Sequence, residues 1–314
     1  MDNCLYIVVP CYNEEETLTS SAEQLDKKLS SLIAGGQVSD ESRIVFVDDG
    51  SKDSTWQIIS DLHKSNNVFV GLRLANNRGH QNALLAGLMY SKEHADATIT
   101  IDADLQQDIE AMDAFIAEWK KGNDIVFGVR NSRDTDSFIK KSTATMFYKL
   151  CDLLGCNLYE NSADYRLMSK KALIALNEYS EVNLFLRGII PDMGFNTSVV
   201  YFDVFPRMYG ESKYTFKKMF KLALDGITSF SIRPIRMIFG LGIIALIIAL
   251  GMVVHVLYEH YFGYTVSGWS SILISIWVLG GLNLLSLGII GEYLGRNYME
   301  TKQRPRYFIS EILH

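Results

Sequence analysis

The stretch Ala97-Thr98-Ile99-Thr100-Ile101-Asp102-Ala103-Asp104-Leu105-Gln106 decides how the rest of the chain reads. Its β-branched first half predicts a buried strand, Ala97–Asp102, that closes on two carboxylates one residue apart. In extended backbone such a pair lies on one face. With the Gln106 amide, Asp102 and Asp104 offer only hard oxygen donors, a set that suits Mg²⁺ or Mn²⁺ rather than zinc. In isolation the same residues also read as a solvated turn after a strand. The surroundings favour the metal reading. Apolar runs recur at Leu5–Pro10, Arg43–Asp48, Val68–Leu74 and Asp124–Val129, and amphipathic helical patterns separate them at Glu14–Ala34, Ser54–Ser65, Gln81–Glu93 and Ile109–Lys121. That alternation predicts an α/β layered sheet of mainly parallel strands, in which ligands bind beyond the carboxyl ends. Neither GxGxxG nor GxxxxGK[ST] is present, which disfavours a dinucleotide oxidoreductase and a P-loop NTPase.

The same strand ends carry two further polar clusters. Val47-Asp48-Asp49-Gly50-Ser51 could accept hydrogen bonds from a base N–H or from ribose hydroxyls, or could be a plain turn that caps the next helix. In Pro10-Cys11-Tyr12-Asn13-Glu14, Tyr12 could stack on a nucleotide or merely seal the sheet edge. His80 could be read as a base. No carboxylate partner is visible for it in the sequence, so the reading leaves it as structural or as a phosphate contact.

The 314 residues are 48% hydrophobic, with a net charge of −6 and a mean hydropathy of +0.08. A disordered chain, a collagen and a disulfide scaffold are excluded, and the charge does not point to nucleic acid. Cys4, Cys11, Cys151 and Cys156 form no CxxC pair, so they read as reduced, mostly buried thiols. The apolar excess sits in the last quarter. Met237–Tyr258 and Val266–Gly291 lack charged side chains and are each long enough to cross a bilayer core of about 30 Å. Between them Glu259–Thr265 carries no Lys or Arg, whereas Lys217, Lys218, Lys221, Arg233 and Arg236 precede the pair and Arg296, Lys302, Arg304 and Arg306 follow it. That asymmetry predicts a multi-pass protein of the cytoplasmic membrane with both termini and the active site in the cytoplasm. Tyr214–Ser231 reads either as an amphipathic helix on the membrane surface or as a core helix, and its place beside the first span favours the surface.

Taken in order, these motifs resemble the family 2 glycosyltransferases of the GT-A fold. The Pro10-to-Glu14 start, the Val47-to-Ser51 turn, Asn77-Arg78-Gly79-His80-Gln81 and the Asp102-to-Gln106 motif carry the match. Ser162-Ala163-Asp164-Tyr165-Arg166-Leu167-Met168 resembles the family's active-site acidic segment, and Arg207-Met208-Tyr209-Gly210-Glu211-Ser212-Lys213-Tyr214 its R-x-x-G-x-S-K-Y loop. With the two spans and Gly291-Glu292-Tyr293-Leu294-Gly295-Arg296, the whole chain resembles the polyprenyl-phosphate glycosyltransferases of the bactoprenol glucosyltransferase type, relatives of dolichyl-phosphate mannose synthase.

The resemblance implies a Rossmann-like GT-A nucleotide-sugar domain over residues 1–213, amphipathic juxtamembrane helices over 214–235, two transmembrane helices over 236–291 and a cytosolic tail over 292–314. It implies that Pro10, Tyr12, Glu14, Asp48, Asp49 and Arg78 hold the nucleotide sugar, and that Asp102, Asp104 and Gln106 hold Mg²⁺ or Mn²⁺ on its diphosphate. Arg207 and Lys213 would neutralise the diphosphate, with Ser212 shaping the loop. Arg130, Lys140 and Lys141 would grip the acceptor phosphate. Lys140 reads equally as part of a cationic strip facing headgroups. The implied catalytic residues are Asp104 and Asp164, the latter read in the family as the base of an inverting displacement. A phosphate acceptor, largely ionised near neutrality, needs no such base, so Asp164 is expected mainly to orient it. The implied partners are a UDP-sugar donor (UDP-glucose first, UDP-N-acetylglucosamine or GDP-mannose as alternatives), undecaprenyl or another polyprenyl phosphate, the bilayer, and a homotetramer. A processive polysaccharide synthase lacks support because no Q-x-x-R-W motif is present, and a non-catalytic scaffold lacks support because the aspartates are intact. A transporter would bury ionisable groups in its spans, where only Asn283 and the terminal His255 come close.

Overall fold

Five apolar runs and four amphipathic stretches of the first 130 residues become strands β1 (Leu5–Cys11), β2 (Arg43–Asp48), β3 (Phe69–Leu74), β4 (Ala97–Thr100) and β5 (Ile125–Arg130), alternating with helices α1 (Leu18–Ala34), α2 (Thr55–Ser65), α3 (His80–His94) and α4 (Ala111–Lys120). The computed structural model describes residues 3–131, 162–181, 185–205, 233–262 and 269–314. Beyond β5 it shows β6 (Ser162–Ser169), α5 (Lys170–Asn177), α6 (Leu186–Asp192), β7 (Thr197–Phe202), α7 (Arg233–Tyr261), α8 (Trp269–Lys302) and β8 (Ile309–Leu313).

The strands form one mixed sheet in the order β7-β5-β6-β4-β1-β2-β3-β8. β4, β1, β2 and β3 run parallel. β1 lies at the centre and is buried along its whole length, which is why its sequence is a continuous apolar run rather than an alternating one. Two apolar layers cover the sheet. α1 and α4 pack on one face, and α3, α5 and α6 on the other.

The structure departs from the sequence reading at β6, which inserts antiparallel between β4 and β5. That insertion matters for the site. An antiparallel strand brings its own start to the carboxyl ends of its neighbours. Thr100 pairs with Arg166, so continuing the register past β4 sets Asp102 level with Asp164.

The second departure is at the C-terminus. Residues 292–314, read as a tail, form the end of α8 and then β8, which pairs antiparallel with β3. Tyr307 and Ile309 pack on the α3-side layer, the Ala75 N–H donates to the Phe308 carbonyl at 2.8 Å, and the Arg306 guanidinium donates to the Tyr179 carbonyl. β8 thereby closes an edge that would otherwise present unpaired backbone groups. α7 covers the first stretch read as a span and α8 covers the second from Trp269 onward. Among the described residues, one of the two expected crossing helices meets the length and hydropathy requirement: Val278–Lys302 is long and apolar enough to cross a membrane, with a mean hydropathy of 1.4, and its apolar window is not buried against the rest of the protein. Leu284, Leu285 and Leu287 are 73%, 61% and 64% exposed, as side chains facing lipid would be.

Candidate active site

The carboxyl ends of β1 and β2 leave the sheet side by side, with Cys11 and Asp48 in register. Pro10 is tolerated in this central strand because β4 no longer pairs with β1 at that level. The loops that follow are stitched together by side-chain to backbone bonds. Ser51 Oγ accepts the Asn13 N–H at 3.0 Å, Asn13 Oδ1 accepts the Lys52 N–H at 3.0 Å, and Thr55 Oγ1 accepts the Glu14 N–H at 2.9 Å. Asn13 takes a positive φ of 53° to do so.

The two aspartates of the β2 turn have different surroundings. Asp48 is wholly buried. Its Oδ1 accepts the Ser51 N–H at 3.0 Å, while its Oδ2 has no hydrogen-bond partner among the described residues and lies 3.7 Å from Arg73 Nε. A buried carboxylate oxygen in that condition is costly unless a donor reaches it. Asp49 has its donors: the Arg78 N–H at 2.6 Å on Oδ1 and the Gly79 N–H at 2.8 Å on Oδ2. Burial pushes the Asp49 carboxyl up, partly offset by those two N–H groups. Asp49 therefore holds the 76–79 loop rather than presenting its oxygens to the opening.

Gly50 makes that loop possible. Its φ is +65°, and a Cβ there would stand 2.7 Å from the Asn77 nitrogen. Gly50→Ala is expected to cost about 1–3 kcal/mol through backbone strain and overpacking. Thermal unfolding measures it, and an unchanged midpoint would contradict the packing described.

The metal-type pair lies differently from the sequence expectation. β4 ends at Thr100, not Asp102, and the chain turns at once: the Leu105 N–H donates to the Asp102 carbonyl at 3.2 Å and Leu105 takes φ 43°. Asp102 and Asp104 thus sit in a turn, not on one face of an extended strand. The physical reason is local, since Asp104 Oδ1 accepts the Gln106 N–H at 3.4 Å and competes with continued extension. Gln107 is buried and donates to Asp102 Oδ2 at 2.6 Å, while the Gln106 carbonyl accepts the Phe205 N–H at 2.9 Å. Among the described residues no three His, Cys, Asp or Glu side chains gather as a ready metal cage.

Asp164 is the hub of the site. On β6, Ala163, Tyr165 and Leu167 enter the α1–α4 layer, so alternation sends Asp164 and Arg166 to the α3 side. Tyr165 is locked edge-on between Phe115 and Phe202, and Thr100 Oγ1 donates to the Asp164 carbonyl at 2.5 Å. Asp164 is 5% exposed. Its Oδ1 accepts from Arg166 Nη2 and, at 3.2 Å, from Arg187 Nε; its Oδ2 accepts Arg187 Nη2 at 3.0 Å and lies 3.4 Å from His80 Nε2. Burial alone would raise this carboxyl. The Arg187 charge, the adjacent His80 ring and the Arg166 charge outweigh burial and hold it well below the usual carboxylate range.

The structure gathers Pro10, Tyr12, Glu14, Asp48, Asp49, Arg78, Asp102, Asp104, Gln106 and Asp164 at one rim of the sheet. Tyr12 is 37% exposed there. Arg130 closes β5 at the same rim, its Nε buried without a partner among the described residues. Lys140, Lys141, Arg207, Ser212 and Lys213 lie outside the described residues, as do the whole of the amphipathic stretch 214–231 and residues 138–154. Three polar groups were not read from the sequence as partners of Asp164. His80 has a carboxylate partner after all, contributed by β6. Arg187 comes from Leu186-Arg187-Gly188-Ile189-Ile190, where a lone guanidinium in an apolar run was the available signal. Arg166, flanked by Tyr165 and Leu167, carried the same signal on a strand.

The chain is 47% identical over 310 residues to YkoT of Bacillus subtilis (strain 168), named an uncharacterized glycosyltransferase, across 99% of this chain and 92% of the relative. It is 39% identical over 308 residues to the bactoprenol glucosyl transferase of Shigella phage SfX, across 96% and 97%. Mannosyl-3-phosphoglycerate synthase from Rubrobacter xylanophilus is structurally similar at a TM-score of 0.48, with 13% identity over 71% of each chain. The family model for Glycosyl transferase family 2 matches residues 6–176, which run from β1 through β6 into α5 and so include every described aspartate of the rim. The chain is a glycosyltransferase and belongs to glycosyl transferase family 2.

Proposed function

We propose that this enzyme, built on a GT-A core, moves a hexose, glucose from UDP-glucose, onto a polyprenyl phosphate at the cytoplasmic face of a membrane that its two C-terminal helices cross. The observation that carries the reading is the enclosure of Asp164 by Arg166, Arg187 and His80. A hydroxyl acceptor needs a base with a pKa near the working pH. A carboxylate held far below its usual range is a poor one. The nucleophile then has to arrive ionised, and a phosphate monoester, with a second pKa of about 6, does so. The name of the phage relative supports the same acceptor class, and the exposed apolar helix supports a lipid-borne one.

In this mechanism an acceptor phosphate oxygen attacks the anomeric carbon as the bond from that carbon to the UDP oxygen breaks. UDP leaves with the bonding pair. A single displacement inverts the anomeric configuration, and Asp164, engaged on both oxygens, is not placed to form a covalent sugar intermediate. Asp48 Oδ2, Tyr12, Pro10 and Glu14 receive the nucleoside, and Asp49 keeps the 76–79 loop and Arg78 in place. Arg130, with Lys140 and Lys141, holds the acceptor phosphate. Arg207 and Lys213 stabilise charge on the leaving diphosphate, with Ser212 in the same loop.

Asp102, Asp104 and Gln106 fit Mg²⁺ or Mn²⁺. Two partly exposed carboxylates in one turn are the hard-oxygen set such an ion takes when substrate phosphates complete its shell. When bound, the ion neutralises charge developing on the leaving diphosphate. The test is to incubate the membrane-extracted enzyme with polyprenyl phosphate and a panel of radiolabelled nucleotide sugars. Label from UDP-glucose should enter the lipid phase. Label only from UDP-N-acetylglucosamine or GDP-mannose would reassign the donor, and label in no lipid product would overturn the acceptor.

A further inference from the structure

His80 stands where the two halves of the site meet. It opens α3 directly after the 76–79 loop that Asp49 holds. Its neighbour Gln81 accepts the Leu186 N–H at 3.1 Å, which ties the start of α3 to the helix that carries Arg187. The His80 Nε2 lies 3.4 Å from Asp164 Oδ2 and 3.7 Å from Asp102 Oδ1. Both separations exceed an ordinary N–H···O bond, and one nitrogen carries one hydrogen. The imidazole is therefore poised between two carboxylates from different strands and fully committed to neither. Asp102 Oδ2 is already held by Gln107, so Oδ1 is the oxygen in contention.

We infer that His80 is a positioning residue that couples the donor side to the acceptor side: a divalent cation taken up at Asp102 displaces the imidazole from that carboxylate and commits its N–H to Asp164. The inference rests on the proposed roles of Asp102 as a metal ligand and of Asp164 as the group that orients the acceptor. Its consequence is order. With the donor absent, Asp164 shares His80 with Asp102; with the donor and its cation present, Asp164 acquires its last hydrogen bond and a single orientation. A charged acceptor is thereby aligned only when there is a sugar to receive. His80 does not need to touch the sugar for this.

The test uses the full chain in lipid nanodiscs with His80→Ala and His80→Gln, glutamine keeping an N–H near the position of Nε2. Three quantities are measured: kcat, both KM values, and the dissociation constant of UDP with Mn²⁺ by calorimetry without turnover. His80→Ala should lower kcat by about 10²-fold, the scale of a misaligned reacting group. It should leave UDP–Mn²⁺ affinity unchanged or tighter, because a competitor for Asp102 has gone. His80→Gln should recover kcat to within about tenfold of wild type. His80 is 42% exposed on its side chain, so the thermal midpoint should hold in both variants. Weaker UDP–Mn²⁺ binding in His80→Ala would make His80 a direct donor ligand and overturn the inference, as would wild-type kcat in that variant. Failure of the wild-type enzyme to label polyprenyl phosphate is a separate result, and it overturns the proposed acceptor instead.

Discussion

Asp164→Asn is expected to lower turnover by about 10³-fold or more and to destabilise the protein by about 3–5 kcal/mol. The fold loss follows from burial. Arg166 is 2% exposed and faces Asp164 from two residues along the same strand, with Arg187 on the other side of the carboxylate. Removing the anion leaves guanidinium charge buried in a site that cannot hydrate it. The sign of the pH dependence follows from the depressed carboxyl. Its contribution to stability is present in full above the usual Asp value of about 3.9 and is lost as pH falls through the lower folded-state value, so the wild type should stay stable through mild acid. The catalytic loss has its own signature. If Asp164 only orients the acceptor, the ratio of mutant to wild-type turnover stays flat from about pH 6 to 8.5, above the acceptor's second pKa. Steep recovery of the mutant over that range would show that proton removal was the missing step. Turnover per folded molecule, measured beside thermal stability, keeps the two effects apart.

The second large effect concerns the turn after β4. Asp104→Asn keeps the shape of the side chain and removes one of two charges from a hard-oxygen pair, so turnover should fall by about 10²–10³-fold, with weaker Mn²⁺ binding in the presence of UDP. Excess chelator should reduce the wild type to a comparable level. Equal turnover with and without chelator would remove the metal from the mechanism. Little loss of stability is expected, because Asp104 lies in a partly exposed turn rather than in the core.

The first five strands and four helices were legible because each is a short apolar run or an amphipathic stretch bounded by polar turns, and local pattern suffices for both. The rim was legible for the same reason, since the aspartates follow their strands directly. The sheet order was not. β6 joins the sheet out of sequence and antiparallel, and β8 returns from beyond α8 to β3, pairings that depend on long-range packing rather than on period. The cage around Asp164 was hidden in consequence. His80, Arg166 and Arg187 come from three elements, and only the placement of β6 beside β4 brings His80 to its carboxylate. Asp48 and Asp49 read alike in sequence, and hydrogen bonding alone separates them. Both oxygens of Asp49 are engaged by the loop that Gly50 admits, and Oδ2 of Asp48 has no hydrogen-bond partner among the described residues.

In the proposed mechanism the nucleophile is an acceptor that arrives ionised, with no protein base to make it so. The pH dependence of kcat/KM for the acceptor at saturating donor tests this most directly, because that ratio reports the ionisations of the free enzyme and the free acceptor. Two acceptors should be compared, a polyprenyl phosphate and its phosphonate analogue, whose second ionisation lies higher. The rising limb should follow the acceptor, near pH 6 for the phosphate and displaced upward for the phosphonate by the difference between their second pKa values. A limb fixed at one pH for both acceptors would belong to the enzyme and would contradict the account.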